Sequence, residues 1–155
     1  MRRHTCNLIT IAATMLIMWA CGGNDVTYCE FRQLSADGWA YGDTIGFSTT
    51  NLTDSIADGH LVVSLRHNNG YPYSNIWLEL TRTGNDGTTV RDTVNCVLAD
   101  LYGRWKGQGF GASYQFSDTL PNAVRLLRGD SITVRHIMRT DTITDIEHLG
   151  IMLVP

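Results

Sequence analysis

The stretch Asn75-Ile76-Trp77-Leu78-Glu79-Leu80-Thr81 is followed by Gly84-Asn85-Asp86-Gly87 and then by a Thr- and Val-rich run over 88–97. Its period is two, the period at which strand side chains return to one face. Asn-Asp-Gly supplies the residues that a tight reversal between strands requires. The stretch therefore reads as a β-hairpin, which constrains the fold more than any other part of the chain. The same period recurs loosely over 40–47 and more firmly over 61–66, 112–116, 131–138 and 149–154. No long amphipathic helix is evident; 121–128, opened by Pro121 and closed by Gly129, reads as one helical turn. Short strands at roughly 10–15-residue spacing between Gly/Asn/Asp turns predict an all-β chain, a single antiparallel β-sandwich of jelly-roll-like form. No internal repeat, low-complexity tract or second domain interrupts it.

The N-terminus has a different character. Arg2 and Arg3 precede an apolar run from Leu8 to Ala20, and Ala20 precedes Cys21-Gly22-Gly23. A basic start, a short apolar core and a small residue before the cut describe a secretory signal. The run is shorter than the roughly 20 residues that a membrane span needs. A small residue before a cysteine, with glycines after it, predicts lipid attachment at Cys21. Met18 and Trp19 depart from the usual lipoprotein pattern, so an unlipidated signal peptide is the alternative. The expected organisation is a signal peptide over 1–20, a tether over 21–27 and the domain over 28–155.

Loss of residues 1–20 would leave 135 residues, remove Arg2 and Arg3 without any acid, and take the formal charge from −3 to −5. Lys106 is the single lysine. Such a balance gives no basis for nucleic-acid binding. Of the four cysteines, Cys29 and Cys96 would remain beside Cys21. An oxidising compartment allows them to form a disulfide; two separate buried thiols are the alternative. Neither a CxxC nor a Cys/His cluster suggests a metal, and no cofactor motif is present. A nucleophile elbow, a P-loop and an H-E-x-x-H are also missing. His67 and His136 could serve acid–base chemistry only if a carboxylate such as Asp100 joined them; the expectation is no catalytic residue and no enzyme.

Three stretches belong together: LRHNNGYPYSNIWLEL over 65–80, LADLYGRWKGQGFG over 98–111 and SITVRHIMRTDTITDIEHLGIML over 131–153. In this order, after a lipoprotein-like signal, the chain resembles the gliding-motility lipoprotein GldH family of Bacteroidota. Asp145 stands where the family pattern has glycine, which leaves the geometry of that turn open. The resemblance implies a cell-envelope lipoprotein held to the membrane by its lipid, in the context of gliding motility and type IX secretion. Its implied partners are other envelope proteins of such a machinery. The outer membrane is the expected site, with the periplasmic face favoured because Cys21 lacks a following acidic run. The resemblance supplies no molecular activity, and the oligomeric state is open.

Within the motifs, Pro72 holds Tyr71 extended and presents Tyr71, Tyr73 and Asn75 at a strand entrance. The two tyrosines either line a binding groove or close one end of the sandwich, with hydroxyls bonded to loop backbone. Gly103-x-Trp105-x-Gly107-x-Gly109-x-Gly111 puts glycine at almost every second place, which predicts a strand with one bare face over Gly107 and Gly109, framed at its start by Trp105 and Lys106. Trp105 beside that floor could stack on a sugar or a peptide, so a surface carbohydrate-binding accessory lipoprotein is the rival reading. Finally, Asp-Ser/Thr-aliphatic triplets recur at Asp43, Asp54, Asp92, Asp118, Asp130 and Asp141. They resemble O-glycosylation acceptors of exported proteins in the same phylum, with Ser55 and Thr44 as the candidate positions. They also suit turn-to-strand entry.

Overall fold

The structure, a computed structural model, describes residues 26–155. The chain forms β1 (Tyr28–Gln33), β2 (Trp39–Ala40), β3 (Ile45–Ser48), β4 (Ile56–Asn68), β5 (Asn75–Thr83), β6 (Thr89–Val97), β7 (Gln108–Phe110), β8 (Ser113–Leu127), β9 (Ser131–His136), β10 (Thr142–Ile143) and β11 (Ile146–Val154). One sheet has the order β1-β11-β4-β8-β7 and the other β3-β9-β5-β6, with β2 and β10 as a separate pair. Every pairing is antiparallel. Leaving aside the short β2, β7 and β10, the chain order of the eight long strands gives 1-8-3-6 against 2-7-4-5. That is the interleaved double Greek key of a jelly roll.

The core lies between the two sheets because each inner face is apolar at period two. Leu61, Val63 and Leu65 of β4 and Leu149, Ile151 and Leu153 of β11 meet Ile76, Leu78 and Leu80 of β5 and Ile132 and Val134 of β9, all fully buried. Each such side chain contributes about 1.5–3 kcal/mol by leaving water. The Asn-Asp-Gly hairpin forms as expected: β5 and β6 pair from Asn75↔Val97 to Thr83↔Thr89, and Gly87 takes a positive φ.

The segment 121–128 is not a helical turn. It continues β8 as far as Leu127, with Val124 and Leu126 buried while Ala123, Arg125 and Leu127 are exposed. Pro121 is tolerated because the β4–β8 register shifts there, from His60↔Ala123 to Val62↔Thr119. Proline, lacking an N–H, is accommodated at such a bulge. Gly129, at φ 97, turns β8 into β9 rather than capping a helix. The turn before β11 resolves the departure at Asp145. Its φ is 68, so an aspartate takes the left-handed conformation that glycine adopts more easily. Asn68 N–H donates to its carbonyl at 3.1 Å.

The two ends of the sandwich are distinct. In the five-stranded sheet, Tyr28 of β1 lies level with Leu153 and Leu61, and Gln33 level with His148, Arg66, Gln115 and Gln108. Phe110 pairs with Ser113, which pairs with Asn68, seven positions along β4 from Leu61. At roughly 3.3 Å per residue, the chain enters the sheet about 23 Å from the level of Phe110. The entry end also holds the 84–87 hairpin; the far end holds the loops 69–74 and 98–112.

Candidate functional site

The sequence motifs 65–80 and 98–111 meet at the far end. Leu98 and Ala99 N–H both donate to Ser74 O, at 2.8 and 2.9 Å, and Lys106 N–H donates to Leu98 O at 2.7 Å. An isolated bridge joins Ala99 to Trp105. This pairing folds 98–106 back on itself and lays Trp105 over the end of the core. Trp105 stands edge-on to His67 with ring centroids 4.6 Å apart, and its Nε1–H donates to Asn69 Oδ1 at 3.0 Å. Tyr114 stacks on His67 at 5.7 Å and lies 6.2 Å from Trp105, and Tyr71 lies 5.9 Å from His67. Tyr73 packs edge-on to Tyr71 at 5.7 Å.

Tyr71, Tyr73 and Trp105 thus converge, but as a packed plug. Tyr71 is buried and its hydroxyl donates to Asn75 O at 2.9 Å, which is the end-closing arrangement. Desolvation raises its pKa. The Asn75 amide donates to Asn95 Oδ1 at 2.6 Å, tying β5 to β6. Of the three rings, Tyr73 is the most exposed. Lys106 is exposed beside them.

The glycine series is not a bare strand face. Gly103, Gly107 and Gly111 take positive φ of 76, 90 and 65 and make turns. Only residues 108–110 are strand, on the edge of the five-stranded sheet. Gly107 additionally lies against the Gln115 carbonyl, and a Cβ on Gly109 would stand 2.6 Å from the Tyr114 ring. These glycines allow the close approach of β7 to β8. Gly109 and Phe110 also border a cleft of about 300 Å³ with Arg66, Gln108, Ser113 and Gln115.

Sequence reasoning missed the side chains that stand out most. Leu101 is fully exposed, Phe110 is 96% exposed and Tyr102 84%. The available signal was three large apolar residues inside a Gly/Arg/Lys run with no strand period. The turn that carries Leu101 and Tyr102 is firmly made. The Asp100 carboxylate accepts from Tyr102 N–H at 2.8 Å, Arg104 N–H at 3.0 Å and Arg104 Nε at 2.7 Å. These bonds, the one to Arg104 N–H foremost, lower its pKa. The Arg104 guanidinium lies 5.4 Å from the Tyr102 ring centroid.

The residues of an acid–base centre are not brought together. His67 is on β4 and its Nδ1–H donates to Asn68 O at 3.1 Å; His136 is on β9 of the other sheet and its Nε2–H donates to Trp39 O at 3.1 Å. The remaining ring nitrogen of each is buried without a partner. Burial lowers the pKa of both, which keeps them neutral. Asp100 is occupied within its own turn. Arg66 binds Glu147 at 2.9 Å. Among the described residues, no group of three His, Cys, Asp or Glu is placed to hold a metal ion.

Cys29 and Cys96 do not form a disulfide. Cys29 is exposed on β1, Cys96 is buried on β6 of the opposite sheet, and both are free. Desolvation, with Asp118 nearby, pushes the Cys96 thiol up to about 12; it packs as a small apolar side chain. Cys21 and most of the tether lie outside the described residues. Thr27 N–H already donates to Leu153 O at 3.0 Å, so sheet pairing starts within the expected tether. Thr44 and Ser55 are exposed, as are the hydroxyl residues of the other four triplets. Ile45, Ile56, Ser131 and Thr142 begin strands, in line with turn-to-strand entry.

Comparison with known proteins decides the family. The model of the GldH lipoprotein family matches residues 26–153. The chain belongs to the GldH lipoprotein family. A gliding motility lipoprotein GldH homologue from Christiangramia forsetii is 29% identical over 98 residues, 63% of this chain and 58% of that protein. The gliding motility lipoprotein GldH of Flavobacterium johnsoniae is 28% identical over 110 residues, 71% of this chain and 66% of that protein. The chain thus matches about three fifths to two thirds of the length of these GldH proteins. Among solved structures, a family 35 carbohydrate-binding module from Clostridium thermocellum has a TM-score of 0.38 at 13% identity, covering 79% of this chain and 86% of its own. Dimeric latent PorU from Porphyromonas gingivalis has 0.35 at 11% identity, covering 86% of this chain and 13% of its own. At these scores neither similarity carries an argument about ligand or activity.

Proposed function

We propose that this GldH-family chain is a lipid-anchored, non-catalytic binding or assembly component of a gliding-motility or type IX secretion machinery in the cell envelope. One observation carries the reading. The chain enters the sandwich at one end, and the loops of the 65–80 and 98–111 motifs, with the three most exposed apolar side chains, are at the other. A domain held through Cys21 would turn that far end away from its anchor, toward other envelope proteins. The outer membrane, with the domain on its periplasmic face, is the placement we favour. More than one acyl chain on Cys21 would make the attachment stable, since one chain alone binds marginally. Surface glycosylation fits the exposure of Ser55 and Thr44 and is read by the intact mass of the exported protein.

The test is to label cells with a clickable fatty acid and compare the full chain with Cys21→Ser in a strain lacking the native copy. Label in the parent alone, with spreading or type IX secretion lost in the variant, is the expected result. Equal function without label would overturn the anchored reading. A carbohydrate-binding lipoprotein is the second reading. The observation in its favour is the cleft where the amide and guanidinium groups of Gln108, Gln115 and Arg66 lie beside Phe110, not the packed ring plug. Saturable binding of a glycan to the full lipoprotein, lost in Gln115→Ala, would establish it.

A further inference from the structure

Leu101, Tyr102 and Phe110 leave their apolar surface in water, while the side chains around Trp105 are packed. Exposed apolar groups on a slack loop would collapse onto the nearest core. These are prevented from doing so by the backbone that carries them. Asp100 accepts three hydrogen bonds across 100–104, the Ala99–Trp105 bridge closes the turn, and Gly107 pins the next turn against β8. A surface ordered before contact loses little further freedom when a partner arrives. The charge is distinctive as well. Asp100 and Arg104 pair with each other inside the turn, so the only lysine, Lys106, leaves the segment with one uncompensated positive charge on a chain of formal charge −3.

We propose that the 100–111 segment is a docking spike whose Leu101, Tyr102 and Phe110 seat in an apolar, acid-rimmed socket of another envelope protein. This rests on the reading of the chain as an anchored assembly component. A protein socket is favoured over the anchoring bilayer because the spike lies at the end of the sandwich opposite the chain's entry at Tyr28. It is favoured over pairing with the spike of a second copy because that contact would bring the two Lys106 side chains together with no acid between them.

The test places a photo-crosslinking amino acid at 102, at 110 and, as a control, at 90 near the entry end, in the full-length lipoprotein in growing cells. Positions 102 and 110 should trap the same protein and position 90 should not. Lys106→Glu should lower that adduct at least tenfold at unchanged protein level, and a lysine in place of the contacted acid on the trapped protein should restore it. An adduct to lipid, an adduct to a second copy, the same adduct from position 90, no adduct, or one indifferent to Lys106→Glu would each overturn the proposal. Fatty-acid label is read in the same cells. Label without the adduct removes the spike and leaves the anchor; the adduct without label does the reverse.

Discussion

The sandwich carries two glycine-punctuated turns at opposite ends, Gly84–Gly87 at the entry end and Asp100–Gly111 at the far end, and they are built from the same physics. In each an aspartate carboxylate binds backbone N–H groups: Asp86 accepts from Thr88, and Asp100 from Tyr102 and Arg104. In each a glycine supplies a positive φ. They differ in what they carry. The first is polar, and Asn85 ties it to Asp130 and Arg128. The second holds Leu101, Tyr102 and Phe110 in water over a packed aromatic plug. A turn that only connects strands has no use for such side chains; a turn that presents them does.

The sharpest test of this difference is a pair of glycine substitutions. Gly87 and Gly107 both have positive φ, but only Gly107 faces a backbone carbonyl where a Cβ would sit. Gly107→Ala should cost about 3 kcal/mol, the left-handed penalty plus displacement of β7 from β8. Gly87→Ala should cost about 1 kcal/mol, since its surroundings are open. Urea unfolding midpoints measure both. Equal losses would mean that the far turn is no more tightly fitted than the hairpin.

Acidification should act on the far end next. His67 packs against Trp105, Tyr71 and Tyr114, with Glu147 the charged group acting on it; His136 packs against Trp39 and Tyr41, with Arg135 and Asp43 nearby. Burial depresses both pKa values in the folded state, so the unfolded chain binds more protons. Stability is therefore complete above the ordinary histidine pKa of about 6.5 and falls as pH drops through and below it, by at most about 1.4 kcal/mol per pH unit for each group. His67→Phe should remove one share of that slope. Hydrogen exchange over 98–111 should then become less sensitive to pH, while exchange over 84–87 stays unchanged in both proteins.

A smaller effect separates the aspartates. Asp100→Asn loses a charged acceptor of three bonds, and Asp86→Asn loses one to a single N–H. Exchange at Tyr102 and Arg104 should speed up more than exchange at Thr88.

Much of this architecture was legible from period two and turn chemistry. The 75–97 hairpin and most of the long strands followed from local signals that agree with the burial they receive. The errors share one cause, a local pattern overridden by a contact distant in sequence. Pro121 opens a plausible helical turn, but β4 pairs across it and a bulge absorbs the missing N–H. Alternating glycines suggested a bare strand face, yet three of them are turn residues whose partners lie on β8 or in open water. Trp105, Tyr71 and Tyr73 were found because their motif is unusual, though nothing local told a packed plug from an open groove. Leu101, Tyr102 and Phe110 were passed over because exposure is a property of the assembled fold.

The smallest effect on stability belongs to the residues with the largest proposed consequence. Leu101→Ser with Tyr102→Ser and Phe110→Ser should leave unfolding within about 0.5 kcal/mol of the parent for each substitution, since these side chains touch little. The measurement that bears most directly on a domain held at one end and read at the other compares this triple variant with Ile56→Ser and Val90→Ser. Those two are exposed apolar residues toward the entry end. All are expressed as the full lipoprotein in a deletion strain and scored for fatty-acid label, protein level and the spreading or secretion that the deletion removes. The far-end variant should be labelled and abundant yet fail to restore that activity, while the entry-end variants restore it. Full restoration by the far-end variant, with loss in the entry-end variants, would contradict the orientation and the role assigned to the spike.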